Sequence, residues 1–141
     1  MNYPEFLEVM QSCIRQFGVD EFNDRRLKLV YARCHRLGLA WTSRVVDQMC
    51  LRNDRFFDFE EAARNEFNRR NGVQRTEAIV EALKELDKHR TDQGYLEKMR
   101  LFGATNFWDA VENCRKFKMH DMKIDELEAV SEPLCKELGV K

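Results

Sequence analysis

The sequence predicts an all-α protein, a compact bundle of about seven short helices, and three observations carry that expectation. Apolar residues recur at three- and four-residue spacing in segment after segment, which is the period of a helix face and not of a strand. Only two prolines and six glycines occur in 141 residues, and valine and isoleucine are too few for a sheet. Hydrophobic residues make up 43% and charged residues 35%, a balance that suits amphipathic rods with solvated backs better than a disordered chain.

Residues 3 to 17 form the first predicted helix, with Pro4 in the first turn and Phe6, Val9, Met10, Cys13, Ile14 and Phe17 on one stripe; Gly18 ends it. The second runs from about Arg25 to Leu37 behind a cap at Asn23 or Asp24, with Leu27, Val30, Tyr31, Cys34 and Leu37 inward. Gly38 stops it. Leu39 and Trp41 are placed in the connection, and Thr42 or Ser43 starts a third helix that packs through Val45, Val46, Met49 and Cys50. The segment DRFFDF follows, and at least two of Phe56, Phe57 and Phe59 should enter the core, because three solvated phenylalanines do not suit a stable monomer. Asp58 and Glu61 have capping-box spacing, and the helix they open is expected to stop at Gly72.

In the second half Thr76 is the expected cap of a helix packed through Ile79, Val80, Leu83 and Leu86, and the polar run HRTDQG is the expected hinge. A short helix spans Tyr95 to Phe102. Thr105 then caps a helix with Phe107, Trp108, Val111, Cys114 and Phe117, a face too wide for one stripe, so Trp108 either is covered by the domain or anchors a partner. The last helix opens with Asp125 and Glu128 as a capping box, and Pro133 should kink or restart it near Ser131. The length fits one domain, 1–141; the punctuation also allows two subdomains, 1–72 and 76–141, with a polar connection near 89–94.

Net charge is −1, but its distribution is uneven. Residues 22–56 hold eight Arg or Lys against three acids, a local +5, whereas 76–141 holds eleven against fourteen, a local −3. Twelve of the thirteen basic residues before position 76 are arginine, the side chain suited to bidentate contact with carboxylate or phosphate. The candidate contact residues are therefore Arg25, Arg26, Arg33, Arg36, Arg44, Arg52 and Arg55, with Trp41 and Trp108 as candidate partner-binding aromatics.

Five cysteines, an odd number without a CxxC pair, read as free thiols of a reducing cytoplasm. No apolar run approaches a membrane span, and MNYPEFLEVM carries acids where a signal peptide carries lysine or arginine, so a soluble, cytoplasmic protein is expected. His35, His89 and His120 lie in charged surroundings, Cys34 and His35 face different sides of a helix, and there is no HExxH, GxSxG or glycine-rich phosphate loop. The expectation is a non-enzyme without metal or cofactor.

Two binding classes remain. The run ARCHRLGLAWTSRVVDQM, within residues 28–50, looks like a degenerate helix-turn-helix DNA reader, with Cys34 four before Gly38 and Thr42, Ser43 and Arg44 opening the second helix. The pattern wants an apolar residue six after the glycine, where this chain has Arg44, so an ordinary helical corner is preferred. The other class is a protein-binding adaptor. The segments YPEFLEVM, RLKLVYARCHRLG and WTSRVVDQM, then a phenylalanine-led segment and a fourth helix, resemble the N-terminal helical domain of phage-type replicative-helicase loader and inhibitor proteins. The resemblance covers roughly the first half and lacks the prolines usual after the third helix; it implies a protein that binds a partner such as a replicative helicase and does no chemistry itself.

Overall fold

Seven α-helices and two 3-10 turns build residues 1–140, the part of the chain that the computed structural model describes, and the described residues contain no strand. The all-α class is as the apolar periodicity predicts. The helices gather into two compact units, Met1–Phe67 and a second that starts at Asn68.

In the first unit, α1 (Tyr3–Phe17) begins where Asn2 Oδ1 accepts the Glu5 N–H at 2.9 Å, and it ends at Gly18, whose φ of +96° is closed to most side chains. The cap of α2 (Asp24–Cys34) is Asn23, which accepts the Arg26 N–H at 2.9 Å. The expected last turn of α2 is instead a 3-10 turn, His35–Leu37. Helix α3 (Leu39–Arg52) follows Gly38 directly, three residues earlier than the Thr42 start expected. That shift moves Leu39 and Trp41 from the connection into the helix, and Trp41 and Thr42 are both buried. Thr42 Oγ1 donates to the Gly38 carbonyl at 2.9 Å, satisfying a hydroxyl that has no access to water.

The core of this unit joins Phe6, Met10 and Cys13 of α1 to Leu27, Val30 and Cys34 of α2 and to Trp41, Val46 and Met49 of α3. Phe59 and Ala63, at the start of α4 (Phe59–Asp87), complete it. Asp58 caps α4 as its spacing predicts, accepting the Glu61 N–H at 3.0 Å. Phe57 packs edge-on against the buried Phe59 at 4.9 Å, so two of the three clustered phenylalanines serve the core.

α4 runs on for 29 residues and passes through Gly72, which therefore neither stops a helix nor makes Thr76 a cap. The reason lies in packing. A Cβ at position 72 would overlap the backbone of Met119 and His120, so the glycine sits where two backbones meet. Thr76 Oγ1 turns back to the Gly72 carbonyl at 2.9 Å. Around this half of α4 pack α5 (Tyr95–Arg100), α6 (Phe107–Lys116), a 3-10 turn (Met119–Asp121) and α7 (Ile124–Leu138), with Ile79, Leu83, Met99, Ala110, Cys114, Met119, Leu127 and Leu134 inside. Asn106, and not Thr105, caps α6, accepting the Asp109 N–H at 3.0 Å. α7 opens at Ile124 after Lys123, without the Asp125 side-chain cap expected. Pro133 does not restart it: Ala129 and Pro133 are both exposed, so water can serve the carbonyl that proline leaves unpaired, while buried Ser131 bonds the Leu127 carbonyl.

Candidate docking surfaces

The seven candidate arginines do different jobs, and the first is structural. The Arg26 guanidinium carbon stands 4.2 Å from the ring centroid of buried Phe22, and its nitrogens donate to the carbonyls of Glu21 at 3.0 Å and Arg55 at 3.2 Å, with the Glu21 carboxylate 3.7 Å away. Arg26 therefore braces the loop before α2 to the turn after α3, and it is removed from the set available to a partner. Arg33 meets Glu60 at 3.4 Å, an exposed pair that solvent screens. The other five, Arg25, Arg36, Arg44, Arg52 and Arg55, are exposed, and none has a carboxylate within 4.0 Å among the described residues.

Helical spacing arranges these cations in rows. On α2 and its 3-10 extension, Arg25, Leu29 and Arg33 follow one another at four-residue steps, and Lys28, Ala32 and Arg36 form the adjacent row. Leu29, in the middle, is 59% exposed. Arg44, Gln48 and Arg52 make a corresponding exposed row on α3. Beside the α2 rows opens a groove of about 380 Å³ walled by Arg26, Leu29, Arg33, Phe56, Phe57 and Glu60. Phe56 is 82% exposed, the one member of the phenylalanine cluster that no core claims. An apolar centre of Leu29 and Phe56 thus lies beside Arg26 and Arg33 on α2, with Asp58 and Glu60 on the same groove.

Trp41 is not the partner anchor that the sequence leads one to expect. It is only 7% exposed, because the early start of α3 turns its ring into the core. Trp108 is 78% exposed, with its ring edge-on to Phe107 at 5.3 Å, and it borders a groove of about 650 Å³ between α4 and α6 that includes Val80, Lys84, Val111 and Lys118. The charges around this second groove neutralise one another in part, Lys84 with Glu81 at 3.5 Å and Lys116 with Glu112 at 3.4 Å.

For the helix-turn-helix reading, geometry places Thr42 out of reach of any ligand and Ser43 half-buried, while Val46 in place of residue 44 packs inward. The first unit as a whole is close to neutral: residues 1–67 contain ten Arg or Lys and eleven Asp or Glu, a formal −1. Its cationic character is local, gathered on the outward rows of α2 and α3 and at Arg55 in the turn after α3. Among the described residues no three His, Cys, Asp or Glu side chains gather as metal ligands, and no helix is long and apolar enough to cross a membrane.

Fold and surface together define an all-α, two-unit protein with cationic helix faces and exposed apolar anchors. No family model, no curated protein and no solved structure matches the chain.

Proposed function

We propose that this chain is a non-enzymatic protein-binding module that docks a carboxylate-rich helix of a partner on the α2 face of its first unit. One observation carries the reading: Leu29 and Phe56 stand exposed in a groove whose α2 wall carries Arg26 and Arg33, with Arg25 one turn before Leu29 and with Asp58 and Glu60 on the facing segment, an apolar centre with cations along one side. Such an arrangement favours a protein over a phosphate backbone, because interfaces draw affinity from desolvated apolar anchors while arginine forks orient carboxylates around them. The near-neutral charge of the unit points the same way, since non-specific affinity for nucleic acid grows with the number of phosphates neutralised. A loader or inhibitor acting on a replicative helicase fits this chemistry where the helicase offers an acidic amphipathic helix.

The test is fluorescence anisotropy with a labelled helical peptide carrying one leucine stripe flanked by glutamates, set against labelled duplex and single-stranded DNA at low salt. The peptide should bind wild type; Leu29→Ala with Phe56→Ala should weaken it by about tenfold or more, and Arg25→Glu with Arg36→Glu should abolish its preference over a lysine-bearing version. The arginine bias before position 76 supports a nucleic-acid reading as the alternative. DNA binding with a steep salt slope and no peptide binding would decide for it.

A further inference from the structure

Three sulfur atoms meet where α1 packs on the C-terminal half of α3. Cys13 Sγ lies 3.8 Å from Cys50 Sγ and 3.6 Å from Met49 Sδ. The two thiols differ in access: Cys13 is fully buried and Cys50 only half-buried. The backbone beneath them is clamped as well. One turn along α1 from Cys13, Gln16 Nε2 donates to the carbonyl of Cys50 itself at 2.8 Å and to Asn53 Oδ1 at 3.0 Å. Two thiols in van der Waals contact, on helices whose register is held by hydrogen bonds to one of the pair, need to approach by less than about 2 Å to reach a disulfide bond length.

We propose that Cys13 and Cys50 form an oxidisable pair that hydrogen peroxide converts into a disulfide stapling α1 to α3. Cys50, the accessible partner, reacts first. Its thiolate attacks one peroxide oxygen, the O–O bond breaks, and hydroxide leaves, giving the Cys50 sulfenic acid. The Cys13 sulfur then attacks the sulfenic sulfur; the S–O bond breaks, and the thiol proton leaves with the hydroxyl group as water. In total two thiols give up two protons and two electrons, and one peroxide becomes two waters. Burial, and after it the neighbouring Cys50, pushes the Cys13 thiol up to about 12, so Cys13 stays protonated and inert toward peroxide until a sulfenic acid stands beside it. This division of labour, an accessible attacking sulfur and a buried resolving one, is what the two burial states provide. The staple would close a loop between positions 37 residues apart and hold the α3 row of Arg44 and Arg52 to α1.

The experiment uses the full chain, reduced and then exposed to hydrogen peroxide, with thiols counted after denaturation, intact mass measured, and peptides mapped without reductant. Wild type should lose two of its five free thiols, fall in mass by about 2 Da, yield a peptide joining Cys13 to Cys50, and revert with dithiothreitol. Cys50→Ser, a change at a half-buried site, should fold and form no crosslink. The proposal is overturned if wild type keeps all five thiols, if Cys50 proceeds to the sulfinic acid without crosslinking, or if the disulfide joins other cysteines. Each of these outcomes is read on the wild-type chain, so misfolding of a variant leaves the test intact.

Discussion

Replacing Gly72 with alanine should destabilise the second unit, although the same change inside an ordinary helix would stabilise it. Propensity favours alanine by about 1 kcal/mol at an interior helical position. Against this stands a Cβ placed on the carbonyl group of Met119 and the Cα of His120, backbone atoms that no rotamer change can move. Met119 is itself buried in the core, and the 3-10 turn that carries it starts from Lys118 in the left-handed region at φ +53°, so the obstruction has little room to retreat. Overpacking of this kind costs about 3 kcal/mol when backbone must shift. The net loss should therefore be about 2 kcal/mol. Urea denaturation followed by far-UV circular dichroism reads it as a lower midpoint for Gly72→Ala. Asn71→Ala, at the exposed neighbouring position, serves as control and should leave the midpoint unchanged or raise it. A midpoint for Gly72→Ala equal to or above wild type would refute the reading of Gly72 as a close-approach residue.

Arg26→Ala should lower stability by about 1–2 kcal/mol through loss of the Phe22 contact and the two carbonyl bonds, whereas Arg25→Ala should stay within about 0.5 kcal/mol; chemical denaturation separates them. Of the two tryptophans, only Trp108 should be quenched by acrylamide at the solvent limit, and Trp108→Phe should leave the blue-shifted emission of buried Trp41. Stability should decline in alkali. Burial raises the Cys13 and Cys34 thiols to about 12 and Cys114 to about 11 from an ordinary 9.0, so the folded chain keeps protons that the unfolded chain releases. The contribution is complete below pH 9.0 and is lost as pH climbs toward the folded values, by at most about 1.4 kcal/mol per pH unit for each thiol. Urea midpoints taken across that range should fall, and a flat profile would contradict the burial of these thiols.

Most of what could be read from the sequence depends on near neighbours, although the local cap signals at Thr105 and Asp125 misled. Asp58 announces its cap, and Asn23 is one of the two residues expected to cap α2, because a cap is a matter of three residues; the stripes of Cys13, Cys34 and Cys114 follow from helical period alone. The sequence misplaces Trp41 because a helix start displaced by a few residues turns each side chain by about 100° per residue, enough to exchange solvent for core. Gly72 carries no local mark of its role: a C-cap and a close-approach glycine look alike until Met119, far along the chain, comes to rest against it. Arg26 did carry a signal, the aromatic Phe22 four residues before it, whereas the Arg33–Glu60 pair joins distant positions and left none. The exposure of Leu29 and Phe56, on which the docking surface turns, depends on which faces the other helices cover, and no periodicity shows that.

The docking surface is tested most directly by amide chemical-shift mapping of the labelled full chain titrated with the glutamate-flanked helical peptide. Shifts concentrated on α2, from Arg25 to Arg36, and on the segment from Phe56 to Glu60 are the predicted result. Shifts confined to the surroundings of Trp108 on α6, or none at saturating peptide, would contradict it.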